Sequence, residues 1–152
     1  MKRWLAILSS LVLALAASAQ EEMRVVDSLE NVMVQQEGRE RVKTMMELSK
    51  AFFDFSFDDC VDWGEKAIEE ARRLGLTDLE GDATSSLGEF YGEHADNDLA
   101  QNYLRKARII HFSVGEEKEA INDLWLQAYY EQIIGNIDTA YTIYEEIMEI
   151  AD

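Results

Sequence analysis

The sequence contains no proline and a single cysteine, Cys60. Because proline kinks or ends helices, its absence from 152 residues favours long uninterrupted helices. One cysteine cannot form an internal disulfide or a cysteine-cluster zinc site, so we expect Cys60 to be a small buried core residue. The fold must therefore be held by an apolar core, for which 47% apolar residues are sufficient.

Basic residues are also scarce. Against 31 Asp and Glu stand 14 Lys and Arg, which gives a formal charge of −17. A field of this sign repels phosphate backbones and anionic lipid headgroups. The composition therefore argues against nucleic acid and anionic membrane surfaces as partners.

Motifs that carry catalysis are missing as well. The sequence has no glycine-rich phosphate loop, no G-x-S-x-G and no H-E-x-x-H. Its two histidines, His94 and His111, fall near the ends of predicted helices, where the helix dipole favours them without any chemistry. We predict a protein that is not an enzyme and that needs no cofactor or metal; hydrolysis through His94 is the weakest alternative.

The N-terminus has the organisation of an export signal. Lys2 and Arg3 precede a mostly apolar run, Trp4 to Ala17, and Ala17-Ser18-Ala19 is an A-x-A cleavage pattern. The run is shorter than the roughly 20 residues of a membrane-spanning helix. The sequence therefore predicts a signal peptide, residues 1–19, cleaved after Ala19, and an exported, periplasmic protein without membrane insertion.

The remaining chain repeats itself at a step of 40 residues. Three sets of positions follow this step: Cys60, Ala100 and Ala140; Ala67, Ala107 and Ile147; Gly75 and Gly115. A fixed period of this size is typical of solenoids built from stacked helical hairpins. The glycines fit the turns between hairpins, where a left-handed residue ends a helix.

Within one period the residue types match a known helical repeat. The pattern L-G-x-x-Y-x-x-x-A-x-x-x-x-A-x-x-x-L-x-x-A is formed by Leu87, Gly88, Tyr91, Ala95, Ala100, Leu104 and Ala107. It resembles the tetratricopeptide repeat, whose usual length is 34 residues. The resemblance implies an all-α fold, a right-handed α-α superhelix of about three hairpins.

The repeats are expected at about 41–75, 81–115 and 120–152, within a solenoid that spans 39–152. Ahead of them, residues 20–38 form a predicted capping helix that ends at Gly38. Its apolar stripe consists of Val25, Val26, Leu29, Val32 and Met33.

Two registers are open in the third repeat. A step of 40 places Ala128 in the column of Gly88, but it then assigns Gln127 and Glu131 to apolar columns. A shift by one residue makes Leu126 and Tyr130 the core pair instead.

The resemblance also implies a working surface. Tetratricopeptide arrays bind an extended peptide or a helix in a concave groove formed by the first helix of each hairpin. Transfer of the groove columns gives Lys50, Phe53, Asp54, Glu89, Gly92, Glu93, Trp125, Tyr129 and Gln132. The groove would be acidic in its middle and aromatic at its C-terminal end, with Gly92 leaving room for a ligand backbone. We therefore expect a neutral or basic peptide partner, with Trp125 and Tyr129 as anchors, although both rings would serve equally as core.

A different class of function is equally compatible with the last helix. Ile143, Ile147, Met148 and Ile150 lie on it, and no polar capping helix follows in the sequence. The alternative hypothesis is a self-associating structural module that buries this helix in a homodimer. The architecture also resembles exported tetratricopeptide sensor regions of Gram-negative signalling proteins, which implies a sensory front part as a third role.

Overall fold

Residues 20–151 of the chain are described by a computed structural model, and they are helical almost throughout. Seven helices and no β-strand occur in this part of the chain, so the predicted all-α class is confirmed. Helix α1 covers residues 20–33. The others are α2 (Gly38–Phe52), α3 (Phe57–Leu74), α4 (Thr77–Glu93), α5 (Asn97–Val114), α6 (Glu117–Ile133) and α7 (Ile137–Ala151). The predicted signal peptide, residues 1–19, lies outside the described residues.

The helices recur at the step expected from the sequence. α3, α5 and α7 begin at residues 57, 97 and 137, and α4 and α6 begin at 77 and 117. Each hairpin is thus one period long. The left-handed glycines are also found, because Gly75 (φ 70°) and Gly115 (φ 79°) cap α3 and α5.

From α2 onward each helix packs against the next, and α4 also contacts α2 and α6. Two ion pairs join equivalent helices of successive hairpins. Arg39 of α2 pairs with Asp78 of α4, and Arg108 of α5 pairs with Glu146 of α7 at 3.0 Å. The helices therefore form a sequential array in which corresponding helices lie side by side.

The small-residue columns face the interior. Cys60, Ala100 and Ala140 are buried, as are Ala67 and Ala107, whereas Ile147 is half-buried. Small side chains at these points allow the backbones of neighbouring helices to approach. Burial raises the pKa of the Cys60 thiol, partly opposed by its contact with Ser49, so this cysteine is a packing residue as expected.

Helix boundaries differ from the prediction in two respects, the end of the capping helix and the starts of the repeats. The capping helix does not continue to Gly38; it ends at residue 33, and Gly38 instead begins α2. The intervening turn is tied to α2, because the Thr44 hydroxyl donates to the Gln36 side chain at 2.6 Å. The repeats also begin earlier than 41, 81 and 120, since α2, α4 and α6 start at Gly38, Thr77 and Glu117.

Only part of the predicted apolar stripe of α1 faces the core. Val26 and Met33 are buried and Leu29 is half-buried in a cluster with residues of α2, α3 and α4. Val25 and Val32 are exposed. α1 therefore covers the first hairpin through one narrow edge.

The 40-residue register holds in the third repeat, and it buries the residues of both alternatives except Glu131, which is half-buried. Gln127 and Ala128 are buried, and so are Leu126 and Tyr130. α6 has neighbours on more than one side, since it packs against α5 and α7 and touches α4. The two expectations are therefore compatible. The Gln127 amide remains hydrogen-bonded, donating to the carbonyl of Asp123 at 3.4 Å.

Between residues 20 and 151, no helix combines the length and the apolar character needed to cross a membrane.

Candidate functional site

A cleft of about 360 Å³ separates α2 from α4, and we call it the α2–α4 cleft. It is lined by Lys50, Phe53, Asp54, Ser86, Glu89, Phe90 and Glu93. Five of the nine residues predicted to form the groove therefore lie around one cavity. The two residues added by the structure, Ser86 and Phe90, come from the same face of α4.

Carboxylates dominate the walls of this cleft. Asp54, Glu89 and Glu93 face a single cation, Lys50. None of these four forms an ion pair among the described residues. Although Glu89 reaches solvent, partial burial and then the charge of Glu93 raise the pKa of its carboxyl, with Lys50 opposing the shift. The cleft is therefore short of positive charge.

The floor of the α2–α4 cleft is aromatic. The ring centroids of Phe53 and Phe90 are 5.1 Å apart, and Phe53 also meets Phe57 edge to face at 6.2 Å. Rings with carboxylates around them suit a ligand that combines apolar area with positive charge, since a cation is attracted to the face of a ring.

Gly92 does not have the role expected from the sequence. A Cβ atom at this position would overlap the ring of Tyr130, so the space is filled by the tyrosine. The Tyr130 hydroxyl donates to the carbonyl of Glu89 at 3.1 Å. Gly92 therefore lets α6 approach α4 and leaves no room for a ligand backbone.

The two predicted aromatic anchors lie together on the surface of α6. Trp125 and Tyr129 stack with parallel rings, their centroids 5.4 Å apart, and they are 48% and 41% exposed. Core packing, the alternative reading, is therefore wrong for both. The Gln132 side chain instead accepts a hydrogen bond from Tyr144 of α7 at 3.4 Å and lines a small pocket against α7.

A second cleft, of about 460 Å³, lies between α4 and α6, and we call it the α4–α6 cleft. It is lined by Met46, Asp82, Ser85, Ser86, Glu89, His111, Lys118, Glu119 and Asn122. Ser86 and Glu89 line both clefts. The two clefts are therefore neighbours on one face of the molecule, and we call them together the acidic groove.

Beneath the α4–α6 cleft, a buried polar network joins three helices. His111 of α5 is 1% exposed, and its Nδ1 lies 2.8 Å from Oδ2 of Asp123 in α6, which is fully buried. The Ser85 hydroxyl of α4 donates to the other oxygen of Asp123 at 2.5 Å. The ring has room because a Cβ at Gly81 would lie 2.5 Å from it.

The other ring nitrogen of His111 has no hydrogen-bond partner. Nε2 lies 3.5 Å from Oδ1 of Asp82, beyond the usual range of an N–H···O bond. Burial lowers the pKa of His111, but the interactions with Asp123 and Asp82 outweigh it and raise the pKa to about 9. At neutral pH the ring is therefore an imidazolium flanked by two carboxylates.

Ser85, His111 and Asp123 are not arranged as a catalytic triad. Ser85 donates to Asp123 and not to His111, so no serine is activated by the histidine. His94 is exposed and stacks on Phe57 with centroids 3.8 Å apart. Within residues 20–151, no group of three or more His, Cys, Asp and Glu is arranged to hold a metal ion.

Sequence reasoning missed the network around His111, although a signal was present. Asp123 follows Ala83 by one period, and His111 follows Ala71. Both alanines are buried. Two ionisable residues that replace alanine in buried columns, one period later, indicate that they satisfy each other inside the protein.

A third cleft, of about 430 Å³, lies between α3 and α5. Its walls combine Ile68, Ile109 and Ile110 with Glu69, Lys106 and other polar residues. Its charges are mixed, whereas the acidic groove has an excess of carboxylates.

Comparisons of the chain with protein-family models, with curated proteins and with solved structures gave no match. Function is therefore inferred from the geometry of the acidic groove.

Proposed function

We propose that the protein is a non-catalytic interaction scaffold, a tetratricopeptide-like right-handed superhelix that binds a neutral or basic peptide or helix in the acidic groove. The observation that carries this proposal is the α2–α4 cleft. There five independently predicted residues surround one cavity, with three carboxylates and a phenyl floor. Trp125 and Tyr129 supply exposed aromatic area on α6 for the same partner.

Charge complementarity sets the expected partner. A basic or neutral segment is attracted by Asp54, Glu89 and Glu93, and a segment rich in Asp or Glu is repelled. An extended peptide or an amphipathic helix would place its apolar residues on Phe53 and Phe90 and its basic residues against the carboxylates.

A peptide library tests the proposal. The wild-type protein is expected to select sequences with Lys or Arg, and Glu89→Lys/Glu93→Lys is expected to weaken these at least about tenfold, or about 1.4 kcal/mol. Glu145→Lys/Glu149→Lys is the matched control, because it makes the same charge change at exposed positions of α7. If both double variants keep the wild-type preference, or both lose it equally, the acidic groove is not the binding surface.

Self-association is the second candidate function, and the exposed face of α7 favours it. Tyr141 and Met148 are 66% and 61% exposed, and Ile147 and Ile150 are half-buried. A second copy could cover these side chains in a symmetric dimer. Light scattering on the wild type and on Ile147→Glu/Ile150→Glu decides, because a protein that is monomeric in both forms has no such interface.

We also propose that the protein is exported, to the periplasm, and that it serves there as a scaffold or as the sensory part of a signalling protein. The sequence of residues 1–19 supports this proposal. Intact-mass measurement on the exported protein is expected to find Gln20 as the first residue; a mature chain that still begins at Met1 would refute it.

A further inference from the structure

Two buried side-chain atoms in residues 20–151 have no hydrogen-bond partner, Nε2 of His111 and Oε2 of Glu116. Both lie at the junction of α5 and α6, where the backbone N–H of Glu116 donates to the carbonyl of His111. Buried polar atoms in folded proteins are nearly always paired, so these two atoms mark a place where a further polar group can bind. His111 also lines the α4–α6 cleft, which connects this junction to solvent.

The charges around His111 come from each helix packed against it. α4 contributes Asp82 and Glu89, α6 contributes Asp123, Glu119 and Lys118, and Glu116 precedes α6. Burial and then Asp82 raise the pKa of Glu116, while His111 opposes the shift, so these groups are within electrostatic reach of one another. Carboxylates therefore outnumber cations around the cleft.

We propose that the α4–α6 cleft binds a primary alkylammonium group, and that this cation takes the place of the proton on His111 Nε2. An ammonium has three N–H donors and no acceptor. When Nε2 is deprotonated, its lone pair is an acceptor beside the carboxylate of Asp82, and Glu119 supplies a second carboxylate to the same cleft, which also contains the ammonium of Lys118. The N–H donors of an ammonium can therefore be paired with the His111 lone pair and these carboxylates, whereas a carboxylate or phosphate ligand would be repelled by the carboxylates.

A proton on His111 Nε2 and a bound ammonium exclude each other because both are stabilised by the carboxylate of Asp82. In the unliganded protein the imidazolium is stabilised by Asp82, 3.5 Å from Nε2. The Asp82 side chain is 44% exposed, so it can turn toward the cleft, receive the ammonium and uncover Nε2. The imidazolium proton leaves to solvent, and an ammonium N–H then donates to the nitrogen lone pair. Binding is therefore tighter when His111 is neutral, and by linkage the bound ammonium lowers the pKa of His111.

Histidine NMR provides a direct test, because His94, which is exposed just after the C-terminal end of α4, is an internal control. Both histidines are titrated with pH in the presence of butylammonium, which stays protonated below about pH 10. Tetramethylammonium, with the same charge and no N–H donor, controls for screening. We expect butylammonium to lower the His111 midpoint by about one pH unit, a tenfold linkage, and tetramethylammonium and His94 to show no such change.

Variants separate the ammonium site from a general charge effect. Asp82→Asn is expected to remove the butylammonium response, and Asp98→Asn, an exposed control in the first turn of α5, is expected to retain it. The proposal is wrong if the His111 midpoint does not respond to butylammonium, if it responds equally to butylammonium and tetramethylammonium, or if the response persists in Asp82→Asn.

The inference rests on the proposed function in one respect, the source of the ammonium. A lysine-containing peptide with blocked termini that lowers the His111 midpoint at a lower concentration than butylammonium identifies a partner lysine; equal potency identifies a free amine. The two proposals fail separately. If the peptide still binds to Asp82→Asn and His111 does not respond to butylammonium, the acidic groove remains the peptide site and the ammonium site is ruled out. If His111 responds to butylammonium but no peptide binds, only the ammonium site is supported.

Discussion

Helices α5 and α7 begin 40 residues apart and occupy the same place in successive hairpins, yet their equivalent positions are buried to different degrees. Ala100 and Ala140 are both buried. Further along, Leu104 and Ala107 of α5 are fully buried, whereas Tyr144 and Ile147 of α7 are half-buried. α5 packs against both α4 and α6, while α7 packs against α6.

The comparison shows what determines side-chain size in this array. A position covered from two sides takes a residue that fits the gap, such as alanine where backbones approach. The same position covered from one side accepts a larger side chain, because part of it can remain in solvent. The repeat period therefore determines which positions face a neighbouring helix. The number of neighbouring helices determines how closely the side chain at each position must fit the available space.

The largest expected effect is loss of the buried leucine. Leu104→Ala leaves a cavity between two hairpins and should lower the free energy of unfolding by about 2–5 kcal/mol. Tyr144→Ala, its counterpart 40 residues later, should cost less than about half of that, since the tyrosine is half-buried. Urea unfolding monitored by circular dichroism measures both. Equal losses would mean that α7 is covered on both sides in solution.

Overpacking is expected to follow the same rule with a smaller effect. Ala107→Leu, and likewise Ala100→Leu, inserts methylene groups where there is no free space and should cost about 1–3 kcal/mol. Ile147→Leu changes shape at nearly constant volume in the half-buried counterpart and should cost less than about 1.5 kcal/mol. An unchanged melting temperature for Ala107→Leu would show that this column does not face the interior.

The periodic features of the fold could be predicted from sequence because each follows from residue types at fixed spacings along the chain. Cys60, Ala100 and Ala140 reveal the period, and the period gives the hairpins. The repeat starts were placed late because the residues before α2, α4 and α6 carry no capping signal: Glu37, Leu76 and Glu116 make no side-chain capping bond. Asp96 before α5, by contrast, accepts from the N–H of Leu99.

Only the part of the acidic groove that recurs from hairpin to hairpin was predicted from the sequence. Lys50, Glu89 and Glu93 were found because groove positions recur with the hairpin. The role of Gly92 was wrong because Tyr130, a residue 38 positions later, fills the space beside it. The His111–Asp123 pair likewise depends on which side chain of a neighbouring helix meets the ring, and a single-helix pattern does not contain this information.

The smallest expected effect concerns the turns inside the second and third hairpins, where the two regions are alike in backbone and differ in residue. Ala95 has φ 64° and Gly135, 40 residues later, has φ 88°. A left-handed conformation costs a residue with a Cβ roughly 1–2 kcal/mol, while glycine costs about 0.5–1 kcal/mol in unfolded-chain entropy. Ala95→Gly should therefore stabilise by about 0.5–1 kcal/mol and Gly135→Ala should destabilise by a similar amount. Thermal unfolding is expected to shift by a few degrees in opposite directions for the two variants. Shifts of the same sign would show that the two turns are not equivalent, and that the 40-residue correspondence between the hairpins ends at the helices.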